Sequence, residues 1–309
     1  MPPTHAAEPS TPAFEWPTLL LLLACIGAWM ALTAAWPLLP FWVVAPGVAV
    51  LLTLHSSLQH EILHGHPTRW RALNHALGNI PLSLWLPFAR YRETHLAHHV
   101  NHRLTDPLRD PESNYWRAAD WEALPGWQRG VVRLESTLAG RVLLGPWWRI
   151  PRFLVSEWHA LRRGEPGVRA AWISHAMACV PVLLWVGPVC GIPPWVYVFG
   201  MVMPGYGILL IRSFAEHKAQ AAVPERTAIV EDAWILGPLF LFNNLHALHH
   251  EDPALPWYRY LPRYRAERLQ LIARNGGLVY AGYADLARRY LFRAQDALVH
   301  PGAAQAGSG

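Results

Sequence analysis

Long apolar segments occur in two pairs along the chain. Residues 17–36 and 39–58 contain no Asp, Glu, Lys or Arg, and residues 170–192 and 194–211 repeat this arrangement. Each segment has the length of about 20 residues that an α-helix needs to cross a hydrocarbon core of roughly 30 Å. Proline and glycine between the members of each pair favour tight turns. The pattern predicts an all-α integral membrane protein with four transmembrane helices in two hairpins.

Two further apolar segments do not fit a membrane span. Residues 74–88 are short and contain Pro81 and Pro87, which favours a re-entrant or interfacial helix. Residues 127–161 mix tryptophan with arginine, a combination typical of amphipathic helices in the headgroup layer. The remaining polar sequence predicts a cytosolic helical cap.

The ends of the chain differ in composition from the rest. Residues 1–16 and 302–309 are rich in Pro, Ala and Gly, which predicts disorder and leaves one membrane domain over residues 17–301. The first apolar segment follows a stretch without basic residues and leads into a second one. This order predicts a retained anchor rather than a cleaved signal peptide.

Composition supports the membrane assignment and excludes a nucleic-acid-binding protein. Hydrophobic residues make up 52% of the 309 residues, charged residues only 15%, and there are 17 Trp. All 26 Lys and Arg lie in residues 69–169 and 212–293. Basic residues concentrate on the cytosolic side of membrane proteins. The distribution therefore predicts that both termini and both basic segments are cytosolic, in a multi-pass protein of a bacterial inner membrane.

Histidine is the residue type that indicates chemistry. The chain has 17 His, and eight of them form the clusters His60-Glu-Ile-Leu-His64, His95-Leu-Ala-His98-His99 and His246-Ala-Leu-His249-His250. Residues three and four apart lie on one face of a helix, so each cluster presents several imidazoles together. Eight imidazoles suffice for two metal ions with positions left open. Spacing alone leaves Fe, Zn, Cu and Ni as alternatives.

These three histidine boxes resemble those of the membrane fatty acid desaturase superfamily, as do Thr105-Asp106-Pro107 and Asp110-Pro111-Glu112 after the second box. The resemblance implies two irons that activate O2, and His217 occupies the place of a further ligand. The implied ligands are His60, His64, His95, His98, His99, His217, His246, His249 and His250. Some members have an asparagine four residues before the position of His217, where this chain has Ser213.

Carboxylates and amides near the boxes are candidates for the partners that orient metal-bound imidazoles. These candidates are Glu61, Glu93, Asp106, Glu216, Asn243, Asn244, Glu251 and Asp252. His55, His66 and His102 are weaker candidates for metal binding. His102 follows His99 by three residues, and His55 falls inside the second apolar segment.

Other functions remain as alternatives. His60-Glu61-x-x-His64 also matches the zinc peptidase motif with Glu61 as general base, but the Asp-Gly pair often used for the third ligand is absent. A metal transporter would place its ionisable residues within the spans, whereas these boxes lie at the span ends. Within the resembled superfamily, a hydroxylase or a carotenoid ketolase carries similar boxes.

The resemblance implies a fatty acyl desaturase that acts on a phospholipid, CoA or carrier-protein ester at the cytosolic membrane face. Trp85 and Phe88 are predicted to line an apolar tunnel, and Arg90, Arg92 and Arg103 to bind an anionic headgroup. The sequence His300-Pro301-Gly302 is followed by too few residues to enclose a haem. Electrons are therefore expected from a separate ferredoxin-, rubredoxin- or cytochrome-type donor.

Overall fold

The computed structural model describes residues 13–301. Its α-helices are α1 Trp16–Ala34, α2 Phe41–Leu63, α3 Arg71–Gly78, α4 Phe88–His98, α5 Ala118–Ala123, α6 Gly126–Glu135, α7 Leu138–Leu143, α8 Gly145–Arg163, α9 Val168–Leu184, α10 Pro194–Tyr197, α11 Met203–Glu216, α12 Leu236–Leu239, α13 His246–Glu251, α14 Trp257–Arg274 and α15 Tyr283–Tyr290. Turns of π-helix at Trp185–Val189 and Val198–Val202 continue α9 and join α10 to α11, and 3₁₀ turns lie at Asn101–Arg103 and Val223–Arg226. Strands β1 Ile229–Val230 and β2 Val279–Tyr280 pair in parallel, with Ile229 opposite Val279.

Within the described residues, four helical segments are long and apolar enough to cross a membrane. They are Trp16–Ala34, Phe41–Leu63, Val168–Val189 and Pro194–Glu216. The predicted all-α membrane fold is therefore confirmed. The second and fourth segments run further than the predicted ends at residues 58 and 211, because their last turns are polar but still helical. Hydropathy does not identify these extra turns as part of the helices, because they carry the polar residues near the histidine clusters.

The start of the described chain is ordered by contacts with the segment after the first histidine box. Phe14 forms a β-bridge with Thr68, and the Glu15 carboxylate lies 2.7 Å from His66 Nδ1. Both partners of this ion pair are buried. Residues 14–16 thus depart from the predicted disorder, and α1 begins at Trp16. The rest of that prediction, at residues 1–12 and 302–309, lies outside the described residues.

Hydrogen bonds between side chains connect the two membrane hairpins. Trp29 Nε1 donates to the Tyr197 hydroxyl at 3.0 Å, and that hydroxyl donates to the Leu82 carbonyl at 2.7 Å. Trp185 Nε1 donates to Thr33 Oγ1 at 2.9 Å. Polar groups in hydrocarbon need such partners, so these bonds fix the packing of the hairpins around a common apolar core.

Helices α2 and α11 pack at backbone contact. A methyl group added at Gly205 would lie 2.8 Å from the Ala49 carbonyl oxygen, and Thr53 Oγ1 donates to the Gly205 carbonyl at 2.8 Å. Small residues allow membrane helices to approach this closely. The contact brings together the C-terminal ends of α2 and α11, which precede His64 and His217.

The interfacial segments differ in detail from the prediction. Instead of a helix over residues 74–88, α3 ends at Gly78 and a non-helical stretch follows as far as Pro87, because Pro81 and Pro87 cannot donate the helical hydrogen bonds. Residues 127–161 form three helices rather than one or two, separated at Ser136–Thr137 and Leu144. Their exposed tryptophans are those expected of a headgroup layer, namely Trp127, Trp147 and Trp158.

The contact between α2 and α11 predicts the effect of Gly205→Ala. The added methyl group meets backbone, which cannot move aside as a side chain would, so we expect the free energy of unfolding to fall by about 1–3 kcal/mol. Gly27→Ala on lipid-facing α1 is the matched control, because no atom lies within 4 Å of its added methyl group. Thermal unfolding in detergent measures both variants. Equal stability of the two would contradict the close approach.

Candidate metal centre

The structure brings the nine histidines predicted as ligands into two groups. One contains His60, His64, His95, His99 and His249, and the other contains His98, His217, His246 and His250. Within each group the candidate ligand nitrogens lie within 4.8 Å of one another. The groups adjoin, since the His99 and His250 rings stack at a centroid distance of 4.3 Å. Each group can hold one metal ion.

Four helices position these imidazoles. His60 lies in the last turn of α2, and His64 immediately follows that helix. Helix α4 ends at His98, with His99 next along the chain, and His217 follows α11 in an extended conformation. The short helix α13 carries the third box. The loop before α13 is held in place by Asn244, whose Nδ2 donates to the Val230 carbonyl at 2.7 Å.

Acceptors at Nδ1 orient several of the rings. His98 Nδ1 lies 2.8 Å from Asp110, and His95 Nδ1 lies 2.9 Å from Glu112. His217 Nδ1 lies 3.2 Å from the Arg226 carbonyl oxygen, and His246 Nδ1 lies 3.1 Å from Asn243 Oδ1. His249 Nδ1 pairs with the Tyr260 hydroxyl at 2.7 Å. A carboxylate or carbonyl can only accept, so Nδ1 carries the hydrogen and Nε2 presents its lone pair to the group.

These lone pairs face one another. His217 Nε2 lies 3.0 Å from His98 Nε2 and 2.9 Å from His246 Nε2. In the other group, His95 Nε2 lies 3.0 Å from the Nε2 atoms of both His60 and His99. Facing lone pairs repel unless a positive charge lies between them. The arrangement of His98, His217 and His246, whose Nδ1 hydrogens are bound to acceptors, therefore requires a cation.

The electrostatics of the second group indicate the same need for positive charge. Burial lowers the pKa of His98, but Glu112 and Asp110 outweigh burial and raise it to about 9. A proton on His98 Nε2 can be donated to His217 Nε2, but the lone pairs of His217 and His246 would still face each other. Burial, followed by the neighbouring imidazoles, lowers the pKa of His217, His246 and His250 well below the usual range. One metal ion would serve all four nitrogens together.

Some buried nitrogens have no protein partner at all. Within the described residues, His64 Nε2 and both ring nitrogens of His250 are buried and make no hydrogen bond. A buried polar atom without a partner costs roughly 1–3 kcal/mol, so such atoms in a native site point to a missing ligand. Both residues belong to the two groups.

The donor set selects the class of metal. An all-imidazole environment suits Fe, Zn, Cu or Ni and disfavours Mg and Ca, which prefer oxygen. With metal–nitrogen distances of about 2.1 Å, ligands at a right angle lie about 3.0 Å apart, whereas tetrahedral ligands lie further apart. Neighbouring nitrogens in both groups have the shorter separation. The geometry therefore fits transition metals with more than four ligands better than structural zinc.

The loop after the second box supplies two carboxylates that the sequence candidates did not include. Asp110 accepts from the backbone nitrogens of Thr105 at 2.8 Å and Glu112 at 2.9 Å, besides its contact with His98. One side chain thereby closes the loop and orients an imidazole. Burial opposes ionisation of Glu112, but His95 and His98 prevail and lower its pKa. The Asp110-Pro111-Glu112 run is the sequence signal for these carboxylates, although in the sequence it indicates only the family resemblance.

The sequence candidates for orienting residues divide into two sets. Asn243 touches His246, as does the buried Glu216, whose carboxylate lies 3.4 Å from His246 Nδ1 and 2.8 Å from Arg212 Nε. The side chains of the other candidates contact no ligand histidine. Three of them bind backbone groups: Glu61 accepts from Trp257 N, Asp106 accepts from Leu108 N, and Asn244 donates to the Val230 carbonyl. The other three form ion pairs, Glu93 with Arg90, Glu251 with Arg274 and Asp252 with Arg263. Within residues 13–301, the expected contact is absent for these six, because backbone groups and arginines bind their side chains instead.

The weaker histidine candidates lie outside both groups. His102 is exposed, His66 pairs with Glu15, and His55 is buried in α2. Ser213 Oγ donates back to the Leu210 carbonyl at 3.4 Å. The structure thus separates these side chains from the nine grouped histidines.

A cavity of about 560 Å³ adjoins the second group. His217, Glu112 and Glu216 line its inner end, and its walls come from α2, α4, α8, α11 and residues 81–86. Trp85 lines the cavity as predicted, whereas Phe88 is buried beside Gly78 and does not. Of the three arginines predicted to bind a headgroup, only Arg90 lines it.

The geometry predicts that Asp110→Asn loosens metal binding whereas Asp252→Asn does not. Loss of an orienting carboxylate typically costs 10–100-fold in metal affinity. Asp252 is the matched control because it follows the third box directly but pairs with Arg263. Metal content per chain, measured by mass spectrometry after dialysis against graded chelator, compares the two variants. Equal retention by both would contradict the assigned role of Asp110.

Comparison with known proteins agrees with the site. Residues 34–283 match the family model described as fatty acid desaturase, which is most of the 309-residue chain and includes all three boxes. A search of curated proteins finds no match. Members of the family are generally di-iron dependent. With its four membrane helices and two histidine groups, the chain belongs to the fatty acid desaturase family of membrane oxidoreductases.

Proposed function

We propose that the chain is an O2-dependent di-iron desaturase that introduces a C=C bond into a long acyl chain at the cytosolic membrane face. The observation that carries the proposal is the grouping of nine buried or half-buried histidines, of which His217 lines a cavity that begins among the membrane helices. His60, His64, His95, His99 and His249 would hold one iron, and His98, His217, His246 and His250 the other. The bound irons would supply the oxidising power that breaks unactivated C–H bonds.

The protein's own residues contribute orientation, exclusion of water and charge. Asp110, Glu112 and Asn243 hold the imidazole rings in the tautomer that presents Nε2. The apolar residues around Leu58 and Ile62 surround the end of α2 and keep water from that side of the site. Glu216 and Arg212 form a buried ion pair beside His246, which keeps the carboxylate from moving away from the ring.

The zinc peptidase alternative finds little support. That chemistry needs Glu61 free to act on water beside the metal. Glu61 Oε2 instead accepts from the Trp257 backbone nitrogen at 3.1 Å. His60 and His64 also lie with three further imidazoles, and that group contains no carboxylate. The geometry therefore favours oxygen chemistry over peptide hydrolysis.

Balance of the reaction requires an electron donor. Desaturation converts –CH2–CH2– and O2, with two electrons and two protons, into –CH=CH– and two water molecules. A separate ferredoxin-, rubredoxin- or cytochrome-type protein would supply these electrons. Hydroxylation uses the same electrons and protons but leaves one oxygen in the product, so product analysis distinguishes the two outcomes.

Expression in a bacterium tests the reaction. Cells that produce the wild-type chain should contain a new fatty acid lighter by one H2, detected as its methyl ester, and the purified protein should hold about two irons, one for each histidine group. His246→Ala should lose both the product and part of the iron. A product heavier by one oxygen atom would identify a hydroxylase, and altered pigment in a carotenoid-producing host would identify a carotenoid enzyme. Active protein with zinc and no iron would refute the di-iron proposal.

We further propose that both termini and the two basic segments face the cytosol in a bacterial inner membrane, since all 26 Lys and Arg lie in those segments. Alkaline phosphatase, which is active only outside the cytosol, should be active when fused after Leu39 or Ile192 and inactive after Arg293. The first two positions lie between the helices of each hairpin. The reverse pattern of activities would contradict the orientation.

A further inference from the structure

A second cavity of about 440 Å³ lies beside the first, on the side of α5–α8. The two cavities share the wall residues Pro111, Ser113, Asn114, Arg149 and Arg152. The first cavity extends from this shared wall to His217. An elongated molecule can therefore have one end in the second cavity and the other beside the second histidine group.

The charged residues of the shared wall are Arg149 and Arg152. Glu135 pairs with both Arg141, at 2.9 Å, and Arg149. The other carboxylates that line the two cavities have partners of their own: Asp110 with His98, Glu112 with His95, Asp120 with Arg117, Glu157 with Arg90 and Glu216 with Arg212. Within the described residues, no carboxylate lies within ion-pair distance of Arg152. Of the two arginines on the shared wall, Arg149 is therefore paired with an acid, and Arg152 has no ion-pair partner among the described residues.

Arg152 is held by aromatic rings rather than by an acid. Its guanidinium carbon lies 4.9 Å from the centre of the Trp116 ring and 5.1 Å from that of Trp148. Ring contacts of this kind use the face of the guanidinium and leave its N–H edge available. The part of the chain that the structure describes offers no hydrogen-bond acceptor to that edge. A planar fork fixed in this way matches a carboxylate or a phosphate.

Arg90, predicted from sequence to hold a headgroup, has no such capacity. Its Nε and Nη2 donate to the two oxygens of Glu157 at 2.8 and 2.9 Å, and it also pairs with Glu93. Arg92 and Arg103 line neither cavity. The available positive charge therefore lies on α8, at the junction of the cavities.

We propose that Arg152 binds the anionic carboxylate or phosphate head of an amphipathic substrate whose chain extends through the first cavity towards His217. This deepens the proposed function, on which it rests, by assigning the polar end of the substrate. The charged head would set the distance between itself and the carbon that reacts.

Binding of three probes with the same chain tests the assignment. The probes are radiolabelled hexadecanoate, hexadecyl phosphate and the neutral methyl hexadecanoate, measured on purified protein in non-ionic detergent without reductant. Wild type should bind at least one anion about tenfold or more tightly than the ester, as expected for a charge-assisted contact. Whichever anion is preferred identifies the head as carboxylate or phosphate. Arg152→Gln should abolish the preference, and Arg152→Lys should retain part of it.

Arg162→Gln is the matched control, since Arg162 is exposed on the same helix and lines neither cavity. It should leave the preference unchanged. Wild type that binds the ester as tightly as both anions, or binds no probe, would overturn the assignment, as would an unaltered preference in Arg152→Gln. Displacement of bound label by dioleoyl phosphatidylglycerol but by neither single-chain anion would identify a bilayer-lipid site and also overturn it. Product formation in cells is read separately, so the desaturase proposal can stand while this inference fails.

Discussion

The repulsion between facing imidazole lone pairs is the constraint on which the rest of the structure depends. His217 Nε2 lies at hydrogen-bond distance from the Nε2 atoms of both His98 and His246. The hydrogen of the His217 ring is on Nδ1, where it is donated to the Arg226 carbonyl. A chain gains nothing in stability from this arrangement without a cation, because burying unpaired polar atoms is unfavourable. The close packing of α2 on α11 and the closed loop around Asp110 impose it. The fold is thus less stable without metal than it would be without these two groups of histidines.

Hydropathy predicted the four helical spans, and histidine spacing identified eight of the nine grouped histidines, whereas His217 follows only from the family resemblance. Both signals are local: twenty apolar residues determine a span, and residues three or four apart share a helix face. The division into groups of five and four was not predictable, because it separates His98 from His95 and His99 of the same box. Successive helical positions differ in direction by about 100°, so the partner of each ring depends on how helices cross.

The orienting carboxylates show why the sequence stops being informative beyond one helical turn. Glu61, Asp106 and Asp252 lie next to boxes but contact other groups, whereas Asp110 and Glu112 reach His98 and His95 from 12 and 17 residues further along. The acids that lie nearest the boxes in sequence are bound by backbone nitrogens and arginines, which compete with the histidine rings for them. The closed loop, with Asp110 bonded to its own backbone, brings two carboxylates back to the rings of the second box.

The same competition determines which arginine is available for a substrate. A charge on the wall of a cavity recognises a ligand only if the protein has not neutralised it, and the bidentate contact of Glu157 removes Arg90 from consideration. Arg152 is held by indole rings, which fix its position without neutralising its charge. A fixed head position and a fixed metal site together define a length along the substrate. Regioselectivity in this chain would then follow from the separation of α8 from the second histidine group, and not from any residue that touches the reacting carbon.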